Sequence, residues 1–209
     1  MIEPLPISRP RCPECLRPAS ACICQWITPT ANRLDVLLLQ HPMEVGNAKN
    51  SLRLLQLSLA RRTVTVGEQF VPEELEKLLH GPDAGDAMPV LLYPETPGMP
   101  ATPPIDPTKP LRLVVLDATW RKSRKMLALN PALQTLPRLA LHAPPPSHYL
   151  IRKAHRPNQL STLEAVCHAL AQLEGDSRPY AALLAAFDGF VAQQLACRDN
   201  QSSSYPTPR

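Results

Sequence analysis

The sequence predicts an α/β fold: a mostly parallel sheet with helices on both faces. Three observations carry this. Short apolar runs alternate with segments of helical spacing along most of the 209 residues. The runs are apolar almost throughout rather than at every second position, as strands covered on both sides are. With 44% hydrophobic and 19% charged residues, the chain has enough apolar side chains for one sizeable core, which excludes wholesale disorder. The longest uninterrupted apolar stretch, Tyr180 to Phe187, is eight residues, where a membrane-spanning helix needs roughly 20. Met1-Ile2-Glu3-Pro4 has neither the basic start nor the apolar stretch of a signal peptide, so the expectation is a cytoplasmic protein with no membrane partner.

Residues 1–30 carry four cysteines and no periodicity, and read as a Cys-rich extension before an α/β domain over 31–197. The first predicted strand, Arg33–Gln40, holds Val36-Leu37-Leu38-Leu39. A helix follows over Asn47–Ala60, with Leu52, Leu55 and Leu59 on one stripe. Arg62–Val66 is the β-branched second strand. Pro72–Leu79 opens on a proline at a helix start, where its missing N–H costs nothing. Pro89–Tyr93 is the third strand, and Pro94–Pro110, with seven prolines in seventeen residues, must be an extended loop. Leu111–Asp117 is the fourth strand and runs straight into the helix Ala118–Leu129. Arg138–Leu141 is the fifth. Two helices, Thr162–Glu174 and Tyr180–Ala196, complete the domain, and the polar tail 198–209 is expected to be disordered.

Charge is unevenly spread over a chain of net charge +4. From Lys109 to Arg156 ten Lys or Arg residues face one acid, Asp117, whereas from Glu68 to Asp106 eight acids face Lys77 alone. The basic half suggests a face for a polyanion, nucleic acid before others, although a helix such as Arg121-Lys122-Ser123-Arg124-Lys125 can also be merely solvated.

Cys12-Pro13-Glu14-Cys15 and Cys22-Ile23-Cys24 place four thiols within thirteen residues. A C-x2-C turn with a nearby C-x-C can close a tetrahedral zinc site. A disulfide is disfavoured in the cytosol; an iron–sulfur cluster or metal-free thiols are the other readings. Four thiolates leave no open coordination position, so the metal would be structural. Cys167 and Cys197 lie on helical patterns and read as core residues.

Ligands of open α/β sheets bind outside the carboxyl ends of the strands, which is where Asp117 sits; capping the following helix is its alternative role. Ser161 and Glu164, three apart before an apolar stripe, form a capping box, and that helix N-terminus is also an anion site. Residue chemistry alone reaches a basic α/β protein with a candidate zinc knuckle, and no reaction.

Asp117-Ala118-Thr119-Trp120, Gln40-His41-Pro42-x-Glu44 with Asn50-Ser51, and Leu160-Ser161-Thr162-Leu163-Glu164-Ala165, together with the four-cysteine array, resemble the DTW-domain proteins. These are tRNA-uridine aminocarboxypropyltransferases, related to the knotted SPOUT methyltransferases. The resemblance spans about Cys12 to Ala196 and keeps the motifs in order; Ala118 makes the signature D-x-T-W. It implies transfer of the 3-amino-3-carboxypropyl group of S-adenosylmethionine to N3 of a tRNA uridine, releasing methylthioadenosine. On that reading Asp117 is the candidate general base or orienting group. Tyr93, Pro94, Thr119, Trp120, Ser161, Thr162 and Glu164 are candidate S-adenosylmethionine contacts. Arg121, Lys122, Arg124, Lys125, Arg152, Lys153 and Arg156 are candidate tRNA phosphate contacts. Cys12, Cys15, Cys22 and Cys24 are the candidate zinc ligands. A SPOUT-like tRNA methyltransferase and a non-catalytic zinc-containing RNA-binding protein are the alternatives. His41, His148 and His155 are assigned no chemistry.

Overall fold

The computed structural model describes residues 10–81, 85–95, 102–147 and 160–202, with side chains described as far as residue 196. The elements run β1 (Asp35–Gln40), α1 (Leu52–Ser58), β2 (Arg62–Val66), α2 (Pro72–His80), β3 (Met88–Leu92), β4 (Leu111–Asp117), α3 (Trp120–Leu129), α4 (Pro131–Gln134), β5 (Arg138–Leu139), α5 (Thr162–Glu174) and α6 (Arg178–Ser202). Among the described residues the five strands form one sheet in the order β2-β1-β4-β3-β5, and every pairing is parallel.

Strand alternation sorts the core into two layers. Val36, Leu38, Val90, Leu113, Val115 and Leu139 point to one face and pack with residues of α1, α5 and α6. Leu37, Leu39, Leu91, Tyr93 and Val114 point to the other and pack with residues of α2, α3 and α4. Because both faces are covered, the central strands need apolar residues at consecutive positions. The predicted architecture is therefore the observed one. Among the described residues no helix is long and apolar enough to cross a membrane.

Several boundaries differ from those expected; β5, for one, ends at Leu139 rather than Leu141, and α6 begins at Arg178 rather than Tyr180. The helix expected from Asn47 starts only at Leu52. Gly46 adopts φ +76°, the Asn47 carboxamide oxygen accepts from the Lys49 N–H at 3.0 Å, and that of Asn50 accepts from the Leu52 N–H at 2.6 Å. These side chains hold turns that compete with helix. The helix after β4 starts at Trp120 rather than Ala118, capped by Thr119. A short α4 begins at Pro131, an element that the sequence pattern does not predict. Finally, α6 continues to Ser202, so the start of the predicted disordered tail is helical.

The Cys-rich extension docks on α6. Trp26 Nε1 donates to Gln193 Oε1 at 2.5 Å, and Gln193 Nε2 donates to the Cys22 carbonyl at 3.0 Å. A Cβ at Gly189 would overlap the Trp26 ring at Cζ3. Gly to Ala in an unhindered helix interior gains about 1 kcal/mol, whereas overpacking costs about 1–3 kcal/mol. Gly189→Ala is expected to lower stability, by up to about 2 kcal/mol in urea denaturation; a gain would mean that Trp26 does not pack there.

Candidate functional site

The strand order reverses direction at β1, whose two neighbours are β2 and β4, and such a switch point is where open parallel sheets bind ligands. Gln40, the last residue of β1, lies in register with Asp117, the last of β4. In parallel strands partners in register point to the same face, here the face of α1 and α5.

Asp117 is 3% exposed and its carboxylate is bonded on both oxygens. Oδ2 accepts from Gln40 Nε2 at 3.0 Å and from Asn50 Nδ2 at 2.8 Å, and Oδ1 accepts from Thr162 Oγ1 at 2.7 Å. The Asp117 backbone carbonyl also accepts from the His41 N–H at 3.0 Å. One side chain thereby ties together the end of β1, the loop before α1 and the N-terminus of α5. Capping of the following helix falls to Thr119, whose hydroxyl accepts from the Lys122 N–H at 3.4 Å. A carboxylate offers about four lone pairs, so three protein donors leave it about one.

The candidate residues fall into two groups on opposite faces of the sheet. Thr162 and Ser161 stand with Asp117 on the α5 side. Ser161 caps α5, and the full capping box with Glu164 is present. Glu164 is buried at the start of α5, where it accepts from the Ser161 N–H at 2.7 Å and from the Ser147 hydroxyl at 2.9 and 3.0 Å. A cleft of about 320 Å³ lies beyond Glu164, walled also by Pro145, Pro146, His168 and Phe187. Asp117 is not among its lining residues, so charge chemistry rather than volume picks out the strand ends.

Tyr93 and Trp120 stand on the α3 side. Their rings meet edge to face, with centroids 5.6 Å apart. Tyr93 is buried, the Arg138 guanidinium lies 5.2 Å from its centroid, and its hydroxyl is 3.4 Å from Ser123 Oγ. Trp120 remains 48% exposed, an aromatic face held on a rigid support. Pro94 is exposed beside Tyr93.

The basic helix is only partly open to a polyanion. Lys122 Nζ bonds Glu44 Oε1 at 3.0 Å, and Glu44 is 2% exposed. Stripping the partner from a buried charge costs about 3–5 kcal/mol, so this cation is committed to the fold. Lys125 Nζ bonds Glu68 Oε2 at 2.8 Å, and Glu68 Oε1 meets His41 Nε2 at 2.9 Å. Lys125 and His41 together, Lys125 first, hold the Glu68 carboxyl below its usual range. Arg121 and Arg124 are exposed and form no ion pair among the described residues. Arg152, Lys153 and Arg156 lie outside the described residues, as do His148 and His155.

The four cysteines converge. Their sulfurs all lie within 4.8 Å of one another, with Cys12–Cys24 at 3.5 Å and Cys15–Cys22 at 3.8 Å. Zinc–sulfur bonds of about 2.3 Å place tetrahedral sulfurs about 3.8 Å apart, so this cluster can hold a metal ion of that kind. Backbone N–H groups of Cys15 and Glu14, then the Cys24 thiol, hold Cys12 down at about 6. Burial, then the other thiols, pushes Cys24 up to about 12. Cys167 is buried in the core as expected; the Cys197 side chain lies outside the described residues.

The chain matches the DTW domain over residues 9–195. It belongs to the DTW-domain family. A tRNA-uridine aminocarboxypropyltransferase 2 of Drosophila melanogaster is 32% identical over 182 residues, 83% of this chain and 70% of the relative. One of Mus musculus is 27% identical over 194 residues, 90% of this chain and 64% of the relative. The tRNA-uridine aminocarboxypropyltransferase A of Arabidopsis thaliana is 27% identical over 137 residues, 56% of this chain and 49% of the relative. The chain thus spans about two thirds of the animal relatives and half of the plant one. No solved structure matches it. Within this DTW domain, Gln40 and Asn50 are motif residues whose chemistry has no signal in the sequence itself. Their amides are the two donors on Asp117 Oδ2.

The metal cluster has a direct test. Purified protein is expected to carry about one equivalent of zinc by elemental analysis, and Cys12→Ser to lose it together with folding stability. A stable, metal-free wild-type protein would contradict this.

Proposed function

We propose that this DTW-domain chain transfers the 3-amino-3-carboxypropyl group of S-adenosylmethionine to N3 of a uridine in tRNA, releasing methylthioadenosine, in the cytoplasm. What carries this reading is the family match to relatives that bear the name of that activity. The buried carboxylate at the β1/β4 crevice supports it chemically.

The residues suit such a donor. S-adenosylmethionine offers a sulfonium, an ammonium, a carboxylate and a flat adenine. Asp117 supplies negative charge for the cations, the N-terminus of α5 with Ser161 and Thr162 favours the carboxylate, and Trp120 with Tyr93 offers an aromatic wall. Pro94 and Thr119 flank that wall. Glu164 shapes the start of α5 through its capping box.

In the transfer, uracil N3 forms a bond to the carboxypropyl carbon next to sulfur. The carbon–sulfur bond breaks with its electron pair staying on sulfur, and the N3 proton leaves. A sulfonium has three carbons open to attack, so placement decides the product. Asp117 meets the reacting groups through the lone pair that Gln40, Asn50 and Thr162 leave available, either taking the N3 proton or orienting the groups. The three fixed donors favour the orienting role, because they hold both oxygens in place. Zinc in the four-cysteine cluster would be structural, since four thiolates fill its coordination. Arg121 and Arg124 are the described cations best placed to meet tRNA phosphates, with Arg152, Lys153 and Arg156 as further candidates. Lys122 and Lys125 serve first as partners of Glu44 and Glu68.

Donor labelled separately in its methyl and carboxypropyl carbons gives the test. Carboxypropyl label should enter tRNA and methyl label should leave as methylthioadenosine, and Asp117→Asn should slow transfer by about 100-fold or more while tRNA binding persists. Methyl label appearing in tRNA would favour a methyltransferase; no label entering it would favour a non-catalytic RNA-binding protein.

A further inference from the structure

We propose that Arg17 is a positioning residue: it holds the Asn50 loop so that the Asn50 amide fixes the Asp117 carboxylate. The inference rests on the proposed role of Asp117 in meeting the reacting groups. Arg17 follows the C-x2-C turn directly after Leu16, whose φ of +59° swings the chain back on itself. Its guanidinium is taken out of water, with the residue 9% exposed. Nη1 donates to the Ala48 carbonyl at 2.7 Å and Nη2 to the Asn50 carbonyl at 2.9 Å, while the guanidinium carbon lies 5.1 Å from the Phe190 ring centroid. A planar fork suits two carbonyls of one loop, whereas a lysine ammonium does not reproduce it.

Arg17 shares the hold on this loop with Asn47, whose Nδ2 donates to the buried Glu44 Oε2 at 3.3 Å. Residues 46–49 are exposed, and the stretch carries no regular structure before α1. Asn50 is the one residue in it that reaches the acid, through Nδ2 at 2.8 Å from Asp117 Oδ2. Its own carboxamide oxygen is bound to the Leu52 N–H at 2.6 Å, its N–H to the Asn47 carbonyl at 2.9 Å, and its carbonyl to Arg17. Arg17 therefore sets the backbone from which the Asn50 amide is aimed.

Arg53 provides an internal control. Its Nε donates to the Cys15 carbonyl at 3.3 Å and its Nη2 to the Glu14 carbonyl at 2.6 Å, so it also fastens the Cys-rich extension to the core. It touches neither Ala48 nor Asn50 in any of those bonds. If Arg17 merely docks the extension, loss of Arg53 should mimic loss of Arg17.

Hydrogen-exchange mass spectrometry over residues 46–52, with kcat and KM for the donor, tests this on the full chain. Arg17→Met should speed exchange there about tenfold and lower kcat about tenfold, with KM changed less than about twofold, since small misplacement at a distance acts on the reacting geometry. Arg17→Lys, which keeps a cation over Phe190, should give intermediate values and serves if the methionine variant does not fold. Arg53→Met should lower thermal stability and leave loop exchange and kcat near wild type. In an Asn50→Ala background Arg17→Met should lower kcat no further. Equal effects of the two arginine variants, or a full additional loss in that background, would overturn the proposal. Should the wild type transfer no aminocarboxypropyl group, the reaction reading fails by itself. The exchange arm then still decides whether Arg17 governs the loop: unchanged exchange in Arg17→Met rules it out.

Discussion

A buried carboxylate must be matched by donors, because an unpaired charge out of water costs several kcal/mol. Asp117 meets that demand with neutral groups only: an amide from β1, an amide from the loop before α1 and a hydroxyl from α5. No cation neutralises it within that set, so its negative charge stays available to a cationic ligand. The same three bonds cross-link segments 67 and 77 residues upstream and 45 residues downstream in the chain. Structure and proposed chemistry thus depend on one side chain.

A second layer of charge pairing supports the first. The turn after β1 is stitched to α3 by Glu44 with Lys122, and the segment after β2 by Glu68 with Lys125 and His41. These pairs fix where the α3 N-terminus, and with it Trp120, stands relative to the end of β4. They also change the meaning of the basic stretch. Arg112 pairs with Asp35, Lys122 with Glu44 and Lys125 with Glu68, which leaves Arg121 and Arg124 as the open positive charges of α3 among the described residues. The knuckle supplies a third brace, reaching the acid through Arg17 and Asn50.

The sheet was legible because strands covered on both sides must be apolar at successive positions, and Leu111–Asp117 shows this plainly. Their spatial order was not legible. Periodicity gives each strand two faces and says nothing about its neighbours, so the pairing of Gln40 with Asp117 had no local signal. The late start of α1 was missed because Leu52, Leu55 and Leu59 carry helical spacing, while Gly46, Asn47 and Asn50 decide the conformation before them. The cysteine cluster was readable from spacing, since ligands twelve residues apart at most must close on one another. A lone Trp at a helix start carries no sequence signal that separates a core residue from a ligand wall. The half-exposed Trp120 ring, braced by Tyr93, has features of both. The pairing of Lys122 and Lys125 depends on acids 78 and 57 residues away, beyond any pattern in the helix itself.

The central claim is that Asp117 pins three segments at once, and Asp117→Asn tests it with little change of volume. Its amide would present a donor where the protein already offers donors. Urea denaturation combined with native-state hydrogen exchange should show about 2–3 kcal/mol of lost stability and joint loss of protection at residues 50–52 and 162–163. Unchanged stability, or loosening of one of those segments alone, would contradict the account.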